Sequence, residues 1–249
     1  MSTATRFVLA TLLFATLELT AMAAGQGRPL GEFEGHVDIG APKIAGDAVF
    51  DVATHRYTLT AGGANMFHDH DEFHFVWRKL SGDFILRARV KFLGEGVEAH
   101  RKAGLMARAS LDAGAAYVDG VIHGHGPTAL QTRRANGADT EMMVTAPPAE
   151  PLEGLLGSAT KDADYLQLER RGNTYIVSIA KFGQPYSQTT ITDIDLGREI
   201  FVGLFLCAHN ADVSEKAVFS DIHTQRMAAA RAAPDHGTTH SRIARNAAS

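Results

Sequence analysis

Read by twos, residues 73–92 (FHFVWRKLSGDFILRARVKF) place Phe73, Phe75 and Trp77 on one side. After the Ser81-Gly82-Asp83 turn, Phe84, Leu86, Ala88, Val90 and Phe92 again share a side, with Arg87, Arg89 and Lys91 opposite. A period of two marks strands buried on one face. Two such strands joined by a short glycine-containing connection predict a hairpin, whose apolar face is unstable until a second sheet covers it.

The same pattern recurs along the chain. Short runs at 46–51, 56–60, 102–108, 117–123, 129–134 and 141–144 carry strand-like alternation or the small residues of a closely packed central strand. The clearest signals come last: 165–170 and 175–180 flank Gly172-Asn173, a two-residue hairpin turn, and 189–194, 200–207 and 217–223 follow. Residues 147–157 contain two adjacent prolines and read as loop. No amphipathic helical period and no internal repeat is visible, which favours a sandwich or barrel over a propeller or β-helix.

Composition narrows the classes. Arg6 precedes the apolar run 7–15, and Ala21-Met22-Ala23 supplies the small-x-small pattern of a signal peptidase site. Residues 1–23 therefore read as a signal peptide cleaved near Ala23, predicting a secreted or periplasmic protein with no membrane insertion of the mature chain. Residues 24–33 read as a linker, 34–225 as one β domain, and the Ala/Arg-rich 226–249 as a disordered tail. The net charge is −4, and the tail holds Arg226, Arg231, Arg242 and Arg245 against Asp235, so the folded body is more acidic still. An acidic body disfavours nucleic acid as a partner. The single Cys207 lies in an apolar run and reads as a buried structural thiol.

Within this frame, the segments GDFILRARV, KAGLMAR, YLQLERRGNTY, VGLFLCAHN and KAVFSDI, in this order, resemble a secreted bacterial family of the concanavalin A-like lectin/glucanase superfamily. Its members carry names such as regulation-of-enolase-like or TolB-like protein. The likeness covers residues 35–223, and Glu72-Phe73-His74-Phe75 and His209-Asn210 fit its pattern, whereas His68, His70 and His125 depart from it. The resemblance implies an all-β, concanavalin A-like jelly-roll sandwich of two antiparallel sheets, with a concave face that handles glycans in better-known relatives.

Three constellations carry candidate chemistry. His68, His70 and His74 share parity in HDHDEFH, and three imidazoles on one face of an extended segment are candidate ligands for zinc or another borderline metal. Glu72 and Asp119 are candidate acid and base for glycoside cleavage, although the Glu-x-Asp-x-(x)-Glu run of the superfamily's glucanases is absent. If the apolar sets face the inter-sheet core, the opposite side presents His74, Arg89, Arg108, Asp119, His123, Gln131 and Arg133, a polar row suited to sugar hydroxyls. Tyr117 is a candidate stacking ring, and Trp77, by parity with Phe73 and Phe75, is placed in the core. No nucleophile elbow and no phosphate loop is present. The sequence thus predicts a carbohydrate-binding module without catalysis of its own, whose partner is an oligosaccharide or cell-surface glycan. A glycan-cleaving hydrolase or a structural partner in an envelope complex stands as the alternative. No cofactor is required, and calcium at Asp38, Asp51 or Asp221 is a possible structural ion in this superfamily.

Overall fold

A computed structural model describes residues 30–125, 127–145 and 164–227. The expected signal peptide, the tail beyond 227 and the loop 147–157 lie outside these residues. Every strand pairing is antiparallel, and the strands form two seven-stranded sheets.

Sheet A runs in the order β1 (Gly35–Ile39), β6 (Phe73–Ser81), β15 (Glu199–Cys207), β8 (Lys102–Arg108), β9 (Tyr117–His123), β10 (Ala129–Arg133) and β11 (Glu141–Val144). Sheet B runs β14 (Ser187–Ile191), β13 (Thr174–Ala180), β12 (Tyr165–Arg171), β7 (Phe84–Leu93), β16 (Glu215–Arg226), β3 (Arg56–Ala61) and β2 (Asp47–Asp51). A two-stranded ribbon, β4 (Met66–Phe67) and β5 (His70–Asp71), stands apart from both. Half of the neighbouring strand pairs in the two large sheets join strands that are not consecutive in the chain, because the chain crosses between the layers, as a jelly roll requires. The fold is the all-β sandwich of two antiparallel sheets that the sequence predicts.

One expectation is corrected. β6 and β7 are not a hairpin: β6 pairs with β1 and β15 in sheet A, whereas β7 pairs with β12 and β16 in sheet B. The turn between them, with Gly82 at φ 78, carries the chain from one layer to the other. The apolar side chains of the two strands therefore meet across the sandwich, through Val76 and Leu80 on β6 and Phe84, Leu86, Ala88 and Val90 on β7. The Gly172-Asn173 hairpin forms as expected, joining β12 to β13 with Arg171 opposite Thr174.

The inter-sheet core takes Ala103, Leu105 and Ala107 from β8, Val118 and Ile122 from β9, Val202, Leu204 and Leu206 from β15, and Leu166, Leu168, Tyr175 and Val177 from sheet B. Each fully buried Leu or Phe contributes about 1.5–3 kcal/mol. A second apolar cluster lies on the far side of sheet A: Ile39, Met66, Phe73, Phe75, Met106, Tyr117, Val121, Ala129, Phe205 and Cys207. Phe73 and Phe75 thus face away from the partner sheet, and β6 buries both of its surfaces. That second cluster is what makes the outer face of sheet A a built surface.

Candidate functional site: the outer face of sheet A

The registers of sheet A arrange its outward residues in rows. Phe201, Arg108, Tyr117 and Arg133 lie across one row of neighbouring strands; Trp77, Gly203, Met106, Asp119, Gln131 and Met142 form the next. Beyond Gly104, Val121 and Ala129 comes Cys207 beside Lys102 beside His123. Strand alternation places these side chains on one side, as the sequence predicts for Arg108, Tyr117, Asp119, His123, Gln131 and Arg133.

Part of this face is closed by an ion lock. The β4–β5 ribbon, turning tightly at His68 (φ 56), lies over the sheet and carries Asp71 into it. Arg133 grips Asp71 with both ends of its guanidinium, at 2.7 and 2.8 Å, and Arg108 approaches the same carboxylate at 3.5 Å. All three side chains are fully buried. Arg133 also donates to the His68 carbonyl at 2.8 Å, and Arg108 to the Ser110 and Asp112 carbonyls at 2.7 and 2.5 Å. The two guanidiniums lie over the rings of Phe73 and Tyr117 at 5.2 and 5.0 Å. These bonds pin the ribbon and the 110–115 loop to the sheet, so Arg108, Arg133 and Asp71 are structural. Tyr117 is sealed beneath them, its hydroxyl 3.1 Å from Thr140, and burial followed by the charges of Asp119 and Asp71 holds its hydroxyl neutral far above the usual range. It cannot stack on a ligand.

At the other end a polar cluster gathers, with Lys102 and His123 buried, Asn65, Phe67 and His209 half-buried, and His100 exposed at its rim. Lys102 Nζ, His209 Nδ1 and the Met66 amide all converge on the Asn65 side-chain oxygen, at 2.6, 3.1 and 2.8 Å. His123 Nδ1 donates to the Pro127 carbonyl at 2.6 Å, which leaves its Nε2 as a bare acceptor. Burial pushes the His123 imidazolium down to about 4, so the ring is neutral at physiological pH. His209 is lowered by burial and by Lys102 and His100, and Lys102 itself is lowered by burial. The exposed His100 ring stands 6.0 Å from His123 and 5.5 Å from His209, and Lys102 lies 5.8 Å from the Phe67 ring. Behind this cluster Asp119 is fully buried, among the described residues neither of its oxygens nor the Gln131 side-chain oxygen makes a hydrogen bond of good geometry, and burial holds the Asp119 carboxyl well above the usual range.

Several expected site residues lie elsewhere. His74 projects from the opposite side of β6 into the sandwich margin, where its Nδ1 meets Asp38 at 2.7 Å and its Nε2 meets His36 at 3.0 Å. His68 sits in the ribbon turn and His70 on its exposed strand, so the three imidazoles do not converge; a tight turn in HDHD breaks the parity that an extended segment would keep. Arg89 belongs to sheet B and pairs with Asp164 at 2.6 Å. Glu72 accepts from the Ala64 amide at 3.1 Å and braces a loop rather than facing Asp119. Asp38 bonds the Gly46 amide, Asp51 caps the Ala53–Thr54 turn, and Asp221 occupies a bulge with φ 51, so the three do not share a site. Among the described residues no group of three His, Cys, Asp or Glu side chains is placed to hold a metal ion. Trp77 is on the outer face, half-buried beside Phe201 at 5.1 Å, and not in the inter-sheet core. Cys207 is buried and its thiol is pushed up to about 11 by burial, which leaves it an unreactive S–H donor near the Glu72 carbonyl.

Asn65, Phe67 and His100 carry no motif. His123 in the predicted polar row and the His209-Asn210 pair are what pointed to this end of the face.

No protein-family model and no curated protein matches the sequence. Solved structures do. A protein of unknown function from Saccharomyces cerevisiae aligns with a TM-score of 0.54 and 16% identity, over 78% of this chain and 97% of its own. A carbohydrate-binding module of family 66 from Bacillus subtilis aligns with a TM-score of 0.44 and 16% identity, over 78% and 98%. A legume lectin-like domain from Entamoeba histolytica follows with a TM-score of 0.45 and 12% identity, over 74% and 88%. At such identities the likeness to the yeast protein establishes the fold, and the fold leaves function to the site.

Proposed function

We propose that this protein is a glycan-recognition module that binds an oligosaccharide at the Lys102–His123–His209 end of the outer face of sheet A, entered past the exposed His100. The carrying observation is the set of groups with fixed hydrogen-bond directions gathered there: the His123 ring oriented by Pro127, and Lys102 and His209 tied to one Asn65 oxygen. The Phe67 ring beside Lys102 supplies the apolar surface against which a pyranose lies. Donors and acceptors pre-oriented in this way bind hydroxyls without a large ordering cost.

Binding without cleavage is favoured by the state of the carboxylates. Glycoside hydrolysis needs an acid and a second carboxylate flanking one bond. Asp71 is neutralised by two arginines, and Asp119 lies sealed behind the cluster. The buried Asp119 carboxyl is nonetheless the one feature that favours a hydrolase, because burial raises its hold on the proton, as a general acid requires. Membership of the regulation-of-enolase-like family and export guided by residues 1–23 complete the proposal and fit a glycan ligand outside the cytoplasm.

A glycan array probed with the full chain tests it. Binding to some neutral glycan is expected, weakened at least tenfold by His123→Ala and by Lys102→Met, with no new reducing ends after prolonged incubation. No hit, or hits indifferent to both substitutions, would overturn the reading. Sugar release abolished by Asp119→Asn would replace it with the hydrolase.

A further inference from the structure

The outward face of sheet B carries a second surface that the sheet A site does not use. Along β7, Arg87, Arg89 and Lys91 point outward at alternate positions, opposite the buried Leu86, Ala88 and Val90. Beside them on β12, directly across from Arg89, stands Tyr165. The turn after β13 brings Phe182 and Tyr186 over the same face, each with its ring 5.9 Å from that of Tyr165. Phe182 is 55% exposed and Tyr186 39% exposed. The Arg89 guanidinium covers the Phe182 ring at 4.3 Å.

The charges here run against those of the whole protein. The chain is net −4, yet this patch holds three cations against Asp164, which is engaged with Arg89 at 2.6 Å. Among the described residues the buried Nε–H of Arg87 meets no acceptor. The Tyr186 hydroxyl, raised to about 12 by burial and by Tyr165, stays a neutral donor near Arg87. An exposed aromatic shelf edged by Arg87 and Lys91 beside the Arg89–Asp164 pair calls for a flat ring that carries an anion at its rim.

We propose that this face binds a uronic acid residue of an acidic oligosaccharide. A hexuronate chair has a flat C–H face suited to Phe182 and Tyr186, and an equatorial carboxylate lying near the plane of the ring. A sugar stacked on the shelf therefore presents its carboxylate sideways to Arg87, with Arg89 and Lys91 adding charge. Guanidinium to carboxylate is the pairing that best combines directionality with charge. A long nucleic acid meets the same cations but also the acidic body around them, which favours a short acidic sugar as occupant.

Isothermal titration of the full chain with trigalacturonate tests this independently of the sheet A site. Binding is expected to weaken at least tenfold in Phe182→Ala and in Arg87→Gln, both surface substitutions that leave thermal unfolding in place, and to weaken with added salt. Lys102→Met, which disables the sheet A site, leaves trigalacturonate affinity where it was. Absence of binding, indifference to both sheet B substitutions, or loss with Lys102→Met would overturn the proposal. So would equal affinity for maltotriose or for a thymidine oligonucleotide.

Discussion

Asp71 and Asp119 are fully buried carboxylates on one face, and their surroundings give them opposite roles. Asp71 balances two guanidiniums, so Asp71→Asn leaves two buried cations facing a neutral amide and is expected to cost about 3–5 kcal/mol in chemical denaturation. Asp119 has no such partner, and its folded-state carboxyl is held above 3.8 by burial. A raised carboxyl contributes stability below its unfolded value and loses it as pH climbs, so Asp119→Asn is expected to be more stable than the wild type at pH 7, with the gap closing toward pH 3. His123 runs the other way: lowered from 6.5 to about 4, it contributes stability above pH 6.5 that is lost as pH falls toward 4. The loss amounts to about 3 kcal/mol at 1.36 kcal/mol per pH unit, and His123→Gln is expected to remove that stretch of the pH dependence of urea unfolding. Period-two reading placed Arg108, Asp119, His123, Gln131 and Arg133 on one face, because β8, β9 and β10 are plain strands. It could not see that Asp71 would close over two of those arginines, since that contact joins residues 62 apart through a ribbon.

At the scale of elements, the error over β6 and β7 has a simple physical source. Alternation tells which side chains share a face, but not whether two successive strands join by hydrogen bonds or meet through their side chains across a core. β6 is apolar on both surfaces, so either set could have been assigned inward; the structure gives Val76 and Leu80 to the partner sheet and Phe73 and Phe75 to the outer cluster. His74 and Trp77 then change places relative to expectation. The metal reading of His68, His70 and His74 failed for a related reason, because a four-residue ribbon end reverses direction where an extended strand would not. Small residues in β8 were legible as close packing, and Gly104 shows why: a side chain there would press on the Gly120 carbonyl and come within 2.9 Å of the Phe205 ring. Gly104→Ala is therefore expected to destabilise by about 3 kcal/mol or more, read as a fall in the denaturant midpoint, and to lower glycan binding because β8 holds Lys102.

For the molecule as a whole, the sandwich class followed from strand spacing and the absence of helical period, both dictated locally by burial. The location of the proposed binding surface did not. Sequence reasoning put the polar row on the side left to solvent, whereas Asp71, Arg108 and Arg133 seal one end of it, and at the other Lys102 and His123 are themselves buried beside the exposed His100. The residues that shape that end, Asn65, His100 and His209, sit on connections brought together from three parts of the chain, and apart from the His209-Asn210 pair no local pattern announces them. The decisive measurement is an amide spectrum of the labelled full chain titrated with hexasaccharides from cellulose, xylan, amylose and chitin, with the sugar's own reducing-end signals followed in the same tube. Glycan recognition at sheet A predicts that at least one sugar shifts Asn65, Lys102, His123 and His209 while its reducing-end signals stay constant. Shifts confined to other surfaces, none at all, or growth of new reducing ends would contradict it.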